Sequence, residues 1–266
     1  MCKIMKGVYK YMSSTKLEKA VGPSPFHLTY LNLKGNHMSH PAHKSNAELG
    51  LAVHQHLLSK GLETPITDEV FMDPAVKIAK IVPLFTQIME TLGLDLSDDS
   101  LEETPHRVAK MYVNEIFWGL DYTKFPKCTA ITNKMDYRNS FVLERNINVQ
   151  SNCEHHFVVI DGLATVAYIP HDKVLGLSKL NRIVEFFAKR PQVQERLTEQ
   201  ICEAISFITE SPDVAVYIDA SHYCVKSRGI QDTGSSTVTL ATRGVFAEPD
   251  SEVRREFLNI ARLPQR

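Results

Sequence analysis

A thiol, a carboxylate and two imidazoles occupy four consecutive positions of this sequence, Cys153-Glu154-His155-His156. Cys153 and His156 have the Cys-x-x-His spacing with which two ligands on one short turn reach the same metal ion. A second pair, His222-Tyr223-Cys224, follows much later in the chain. A metal site built from both must bring two distant segments together, so this feature constrains the fold most. Taken alone, the first segment fits a half-buried polar turn as well as a metal turn.

The composition of the chain is that of an ordinary soluble globular protein. It has 266 residues, 43% hydrophobic and 23% charged, with a formal net charge of -1. This charge gives no electrostatic reason to expect nucleic-acid binding. No apolar run approaches the roughly 18 residues of a membrane span, so we expect no membrane association. The five scattered cysteines and the absence of a secretory segment favour a cytoplasmic location, where cysteines more often bind metal or react.

The chain divides by composition into three predicted regions. Residues 1–37 are lysine-rich, contain Gly22-Pro23-Ser24-Pro25 and lack sustained periodicity. They predict a disordered or weakly ordered tail, or an extension that reflects the choice of start codon. We predict an N-terminal helical region over residues 38–135 and a catalytic core over residues 136–266.

Two amphipathic helices are predicted in the N-terminal region. The first begins at Asp73-Pro74, presents an apolar face as far as Leu92, and is expected to kink at Pro83. The second begins at Thr104-Pro105 and extends to about Ile116. It carries Arg107 and Lys110 on one exposed face, a pattern that favours a solvated surface when taken by itself.

The predicted core has an α+β arrangement, an antiparallel four-stranded sheet with two helices on one face. Ser178 is predicted as the N-cap of the first helix, Pro191 as its end, and Gly162 as the turn before the second strand. The predicted elements are strands over 141–149 and 163–169, a helix from Ser178, a helix over 193–208, and strands over 214–224 and 235–246.

The two half-sites together predict a metal centre with one open position. Residues two apart on a strand share a face, so His222 and Cys224 are expected to point the same way. Cys153, His156 and Cys224 would leave a fourth position for water, as in catalytic zinc sites, whereas a structural Cys2His2 site with His222 is the direct alternative. A zinc ion lowers the pKa of its water to about 7. His155 and His222 would then exchange protons near neutral pH.

A phosphate site is predicted where the helix near Ser178 begins. Lys179 and Arg182 lie in its first turns, and a helix N-terminus favours anions through free N–H groups and its dipole. Each cation alone is more often a surface charge, but their grouping suggests a polyphosphate ligand. Arg228, Arg107 and Lys110 would add to it.

Gln194-Glu195 opens the next helix and permits two interpretations. Acidic residues are common at helix N-termini for dipole reasons alone. A carboxylate can also accept two N–H bonds from a guanine edge, which would discriminate guanine from adenine.

Several long blocks of the sequence resemble GTP cyclohydrolase I, in its bacterial type. The resemblance extends from about Thr104-Pro105-His106-Arg107 to Phe257-Leu258 and leaves residues 1–37 unmatched. The blocks that carry it are Cys153-Glu154-His155-His156, Gly176-Leu177-Ser178-Lys179, Arg190-Pro191-Gln192-Val193-Gln194-Glu195-Arg196-Leu197 and His222-Tyr223-Cys224-Val225-Lys226.

The resemblance implies an activity, a cofactor and an assembly. The family opens the imidazole ring of GTP, releases formate and forms 7,8-dihydroneopterin triphosphate, the first step of tetrahydrofolate biosynthesis. It adopts the tunnelling fold, whose sheets join edge to edge between subunits, and usually assembles as a homodecamer with sites at subunit boundaries. An isolated open sheet with uncovered edges is consistent with such an assembly.

The resemblance also implies roles for individual residues. Cys153, His156 and Cys224 would hold Zn²⁺. His155 would protonate the purine ring nitrogen, His222 would act as an acid or base near the ribose, Ser178 would contact the ribose, and Glu154 is counted with these catalytic residues. Gln194 and Glu195 would recognise guanine, and the triphosphate would be bound by Lys179, Arg182 and Arg228, with Arg107 and Lys110 from a neighbouring subunit.

Three other functions compete with this interpretation. A zinc nucleobase deaminase requires Pro-Cys-x-x-Cys, which this sequence lacks. A tunnelling-fold binding or structural protein with a closed zinc site would need neither His155 nor His222. A relative acting on another pterin or purine would be expected to lose the triphosphate cations.

Overall fold

The computed structural model describes residues 44–263, so the predicted tail over residues 1–37 lies outside the described residues. The α-helices are α1 (Ala47–Ser59), α2 (Pro74–Thr91), α3 (Thr104–Met111), α4 (Leu177–Ala188), α5 (Gln194–Thr209), α6 (Tyr223–Lys226) and α7 (Glu252–Ala261). The strands are β1 (Ala130–Thr132), β2 (Val142–Cys153), β3 (Val159–Tyr168), β4 (Lys173–Leu175), β5 (Pro191–Gln192), β6 (Val214–His222) and β7 (Thr237–Thr242).

The N-terminal helices begin where their capping residues predict. The Asp73 side chain accepts hydrogen bonds from the backbone N–H groups of Ala75 and Val76 at 2.8 and 3.3 Å, which confirms the start of α2. Helix α2 continues through Pro83. Helix α3 ends earlier than predicted, because the chain over Tyr112–Ile116 widens into a π-helical turn. Within residues 44–263, no helix has both the length and the apolarity needed to cross a membrane.

The main sheet has the order β5-β2-β3-β6-β7. Strands β2, β3, β6 and β7 pair antiparallel, which confirms the mixed α+β class with an antiparallel sheet. The described sheet has five strands rather than four, because β5, predicted only as the break after a helix, pairs in parallel with Asn152 and Cys153 of β2. Strands β1 and β4 form a separate antiparallel pair that the sequence did not predict.

The two faces of the sheet pack against different helices. Val166 and Val216 lie in the main core with the apolar side chains of α4 and α5. Ala167 and Ala215 lie instead in a second cluster with Phe257 of α7. Because successive strand residues point to opposite faces, α7 covers the face away from α4 and α5. The prediction of helices on one face therefore omitted a helix on the other.

Gly162 was predicted to form a turn, and this prediction is wrong. It lies inside β3, opposite Val149 of β2 and Ala220 of β6. A Cβ atom at Gly162 would lie 2.3 Å from the carbonyl oxygen of Asp219, closer than atoms can approach. Glycine is therefore required here because β3 and β6 come unusually close together, and the turn between β2 and β3 falls earlier, over residues 154–158.

Three other predicted boundaries are corrected by local geometry. The N-cap of α4 is Gly176 rather than Ser178, which lies in the first helical turn. Strand β6 ends at His222, so Cys224 lies on the single turn of α6 and not on the strand. Strand β7 ends at Thr242, and the chain then forms a 3-10 turn that begins at Gly244, whose φ is +54°.

The close approach of β6 to Gly162 predicts that adding a single methyl group here destabilises the fold. We expect Gly162→Ala to lower the free energy of unfolding by about 1–3 kcal/mol, because the clashing atoms belong to the β6 backbone and cannot move aside independently. Gly234→Ala is the matched control, since a Cβ there meets only Asp232 Oδ1 at 3.7 Å. Urea unfolding of both variants measures the difference. Equal stabilities would contradict the close approach.

Candidate metal centre

The structure brings the two distant half-sites together. One ligand atom from each of Cys153, His156 and Cys224 lies within 4.8 Å of the others. The Sγ atom of Cys153 is 3.8 Å from Nδ1 of His156. Three donors at this mutual spacing can contact one ion, so the predicted meeting of the half-sites is observed in the fold.

Strand pairing and one tight turn produce this arrangement. Cys153 is the last residue of β2, and its N–H donates to the carbonyl of Val158 at 2.8 Å. The N–H of Phe157 donates back to the carbonyl of Cys153 at 2.8 Å, and Phe157 has a φ of +54° that folds the chain back. Across the sheet, His222 at the end of β6 pairs with Ile160 at the start of β3. The turn of α6 that follows therefore brings Cys224 beside the β2–β3 turn.

The donor set fits a soft or borderline divalent metal. Burial, followed by the hydrogen bond to Cys153 and the charge of that residue, raises the pKa of the Cys224 thiol. The Cys224 thiol therefore resists ionising beside Cys153. A divalent cation bound between them reverses that preference, since coordination deprotonates thiols. Two sulfur atoms and one imidazole nitrogen are ligands that zinc prefers.

His222 does not join this group of ligands, which disfavours the closed Cys2His2 alternative. Its Nε2 atom lies 2.7 Å from Oε1 of Gln194. Burial lowers the pKa of His222, with a smaller opposing effect from the negative charge of Glu195. The three-ligand group therefore has no fourth protein ligand among the residues that the structure describes.

Gln194 fixes the tautomer of His222. The Gln194 amide nitrogen donates to the carbonyl oxygens of Ile218 and Thr237 at 3.2 and 2.9 Å, which identifies Oε1 as the acceptor. His222 must then donate from Nε2, so its Nδ1 is the nitrogen that can accept a proton. Gln194 is buried and both ends of its amide have protein partners. Its contact with guanine stays a prediction.

Residues 153–157 form the metal turn. Its two residues between the ligands Cys153 and His156 point in different directions. His155 is exposed, with Nδ1 3.7 Å from the Sγ atom of Cys153. Glu154 instead turns to α5, where its carboxylate is paired with Arg196. The sequence analysis did not identify Arg196 as functional, although it lies in a block that resembles the family. Nothing in its spacing distinguishes it from a surface cation.

Arg228 lies at the cluster, where it contacts His156, one of the three candidate metal ligands. Its Nη1 atom is 2.9 Å from Nε2 of His156. The Nδ1 atom of that ring faces Cys153, so the two ring nitrogens face opposite partners. Arg228 is exposed, and its charge lies next to the metal turn.

The other predicted phosphate ligands are not brought to this cluster within one chain. The N-terminal end of α4 follows β4, and the backbone N–H of Leu175 in β4 donates to the hydroxyl of Tyr168, at the end of β3 away from the metal turn. The C-terminal end of α4 leads into β5, which pairs with Cys153. Helix α4 has 12 residues, about 18 Å at 1.5 Å per residue. Ser178, Lys179 and Arg182 lie in its first half, so this helix separates them from the Cys153 of the same chain.

Arg107 and Lys110 are exposed on α3. An aromatic cluster connects the chain after α3 with the metal turn. Tyr112, which follows α3, has its ring centroid 6.2 Å from that of Phe157. Phe117 lies 5.2 Å from Phe157 in the same way. Sequence periodicity did not predict this contact, because Phe157 lies on a turn that is distant from α3 in sequence.

Comparison with known proteins gives a consistent result. Residues 81–262 match the family model of GTP cyclohydrolase I. A GTP cyclohydrolase 1 of Haemophilus ducreyi is 57% identical over 208 residues, which cover 78% of this chain and 94% of the relative. One of Erwinia tasmaniensis is 56% identical over 211 residues, which cover 79% and 95%. A solved structure of the apo archaeosine synthase QueF-Like covers 40% of this chain at 21% identity and a TM-score of 0.34, too low to bear on the fold.

The cluster predicts which cysteines are needed for metal binding. We expect Cys153→Ala and Cys224→Ala each to lose bound metal, because two remaining donors hold an ion weakly. Cys128→Ala is the matched control, since this half-buried cysteine lies outside the three-ligand group. Elemental analysis of the purified proteins, after dialysis in metal-free buffer, measures the metal bound per chain. A Cys224→Ala protein with its full metal content would show that the ligand assignment is wrong.

Proposed function

This chain belongs to the GTP cyclohydrolase I family, and on that premise we propose that it hydrolyses the imidazole ring of GTP, releasing formate and forming 7,8-dihydroneopterin triphosphate. The observation that carries the proposal is the group of Cys153, His156 and Cys224 beside two further histidines. A structural metal site would not need His155 or His222 nearby. The product is the entry to tetrahydrofolate biosynthesis, as the family resemblance implies.

We propose zinc as the metal and Cys153, His156 and Cys224 as its ligands. When bound, zinc would act as a Lewis acid that lowers the pKa of water to about 7 and supplies a nucleophile for C8 of guanine. The exposed side of the cluster, where His155 and His156 lie, gives a nucleotide access.

The two other histidines have distinct proposed roles in proton transfer. His155 is exposed and is proposed to protonate the purine ring nitrogen as the ring opens. His222 is proposed to act near the ribose. Because Gln194 accepts from Nε2 of His222, the proton must be taken up or released at Nδ1. Lowering of its pKa by burial keeps His222 neutral and able to accept a proton at neutral pH.

Guanine recognition is proposed to depend on Glu195 more than on Gln194. Glu195 is exposed at the start of α5 and close enough to His222 to affect its pKa. Its carboxylate can accept two N–H bonds from a guanine edge, which adenine does not offer. The buried Gln194 would contribute indirectly, by holding His222.

The triphosphate is proposed to bind Arg228 together with Lys179 and Arg182 of another copy of the chain. Arg228 contacts His156 Nε2, a contact that requires this nitrogen to accept a hydrogen bond. A metal on Nδ1 leaves a hydrogen on Nε2, so the guanidinium would then be free for phosphate. Ser178, in the first turn of α4, would contact the ribose, and Arg107 and Lys110 would also come from a neighbouring copy.

An assembly of several copies is supported by the geometry of the single chain. Helix α4 separates Lys179 and Arg182 from the metal cluster of their own chain, which supports the proposal that another chain supplies them. The sheet also has edges available for pairing, since β5 covers only Asn152 and Cys153 of the long strand β2. At the other edge, β7 exposes Val238 and Leu240. Sheets that join at such edges would satisfy their unpaired backbone groups.

The remaining details follow the family resemblance. We propose the tunnelling fold for the β2–β7 sheet with α4 and α5, a homodecamer with sites at subunit boundaries, and a boundary near residues 135–136 between helical region and core. We also propose a reducing compartment such as the cytoplasm. Cys153 and Cys224 are both free and lie close enough to share an ion, and oxidation would remove both ligands.

The proposed reaction predicts two products from one incubation. The purified protein with GTP is expected to release formate and to yield a compound that fluoresces as a pterin after oxidation. His155→Ala is expected to keep its metal but lose ring opening, because the proton donor is removed and the ligands remain. Formate assay and fluorescence after chromatography measure both. Absence of both products from metal-loaded wild-type protein would end the proposal.

The shared site predicts complementation between two inactive variants. Chains with Cys153→Ala are co-expressed with chains that carry both Lys179→Ala and Arg182→Ala. The mixed oligomers are expected to recover about a quarter of wild-type activity, since each proposed site draws its metal turn and its cations from different subunits. Cys153→Ala with Cys224→Ala is the control pair, because both changes damage the same cluster and cannot complement. GTP turnover of doubly tagged oligomers measures the recovery. No recovery in the first pair would mean that each chain builds its whole site.

A further inference from the structure

We propose that Arg196 is a positioning residue that holds the metal turn, residues 153–157, in its ligand-binding conformation through the carboxylate of Glu154. The inference rests on the proposed function for the identity of the metal. The contacts of Glu154 and Arg196 on which it is argued do not depend on that function. It assigns Glu154 a role in positioning the turn instead of the catalytic role predicted from the sequence.

The metal turn needs an anchor because much of it is exposed. His155, His156 and Phe157 all lie at the surface beyond the end of β2. At its far end the turn is held by the ring of Phe157, which packs edge-on against Tyr112 and Phe117. At its near end the backbone N–H of Glu154 donates to the carbonyl of Gln192 in β5 at 3.0 Å. The Glu154 side chain adds the ion pair with Arg196 at this same end.

Arg196 is itself fixed to the strand that borders the turn. Its Nε atom donates to Oε1 of Gln192 at 3.2 Å, while its Nη2 atom contacts Glu154. One guanidinium therefore joins the carboxylate of the turn to the strand beside Cys153. Both partners are partly buried, which reduces the solvent screening that weakens exposed ion pairs.

A buried polar network fixes Gln192 in turn. Its amide nitrogen donates to the carbonyl of Phe187 at 2.9 Å and to Oε1 of Gln200 at 2.8 Å. Gln200 donates onward to the carbonyl of Leu62 at 2.6 Å and to the hydroxyl of Thr64 at 3.2 Å. Such a satisfied interior network is rigid, because a displaced member would leave buried polar atoms without partners. The position of Arg196 is thereby set by the core.

The direction of the Glu154 carboxylate also favours positioning over catalysis. Although Glu154 directly follows the ligand Cys153, its carboxylate is not part of the three-ligand group. It points to α5, where the arginine neutralises its charge. The pair therefore fixes the turn and engages the carboxylate away from the cluster.

Metal affinity of the full-length protein without nucleotide tests the proposal. The metal-free protein is titrated with Co²⁺ alone, followed by its absorption bands, with a chelator in competition. We expect Arg196→Met and Glu154→Gln each to weaken Co²⁺ binding about 10-fold, as loss of an outer partner of a ligand typically does. The double variant is expected to bind Co²⁺ no more weakly than either single variant, because each of the three proteins lacks the same Glu154–Arg196 ion pair. Unfolding of the metal-free proteins is expected to show no comparable loss.

A matched control lies on the same helix. Arg243 pairs with Glu199 and Glu203 of α5, farther along the helix from the metal turn. Arg243→Met is expected to lower the unfolding midpoint without changing Co²⁺ affinity. Arg196→Lys, which retains the charge, is expected to recover part of the affinity and serves if Arg196→Met does not fold.

Three results would overturn the inference. The first is unchanged Co²⁺ affinity in Arg196→Met and Arg196→Lys, and the second is an equal loss in Arg243→Met. The third is a Glu154→Gln protein with full metal affinity but no turnover, which would restore the catalytic assignment. Since Co²⁺ titration requires no GTP, a protein that fails to turn over GTP but shows the expected affinities would contradict the proposed function alone.

Discussion

The pairing of β3 with β2 on one side and β6 on the other is the interaction on which the site depends. It aligns Cys153 at the end of β2 with the start of β3, and it aligns the start of β3 with His222. A one-residue slip in either register would turn alternate side chains to the opposite face and separate the half-sites. Gly162 lies in the middle of this pairing, where only a residue without a side chain lets β3 approach β6 so closely.

Residue types and spacing predicted the chemistry of the site better than its geometry. The sequence pointed to Cys153, His156 and Cys224 because two half-sites of thiols and imidazoles, each ambiguous alone, together complete one ligand set. It placed Cys224 on a strand, however, because the apolar alternation through Ala220 was extended to His222 and Cys224. Only the three-dimensional course of the chain shows the turn of α6. Gly162 was misplaced for a related reason. A glycine signals a turn locally, whereas its close contact comes from a strand distant in sequence.

The predictions that failed or were absent concern long-range packing. The role of Gln194 in guanine recognition stays a prediction, but the sequence did not indicate that its amide fits between the β6 and β7 backbones and holds His222. Helix α7 and the β1–β4 pair were absent from the predicted fold. Helix α7 begins at an N-cap, Ser251, that the sequence analysis did not use, and β1 and β4 have only three residues each. Arg196 looked like any helical cation until the buried Gln192 and Gln200 amides showed that its position is fixed.

The helix α4 that separates its own cations from its own metal cluster has a genetic consequence. In the proposed assembly, a chain with a damaged metal turn would lose its own cluster and would still lend its cations to a neighbour. A chain with damaged α4 cations would keep its cluster and would disable the neighbour that depends on it. Each faulty copy of either kind would then disable one site, so turnover in a mixed population would fall in proportion to the faulty fraction and no further.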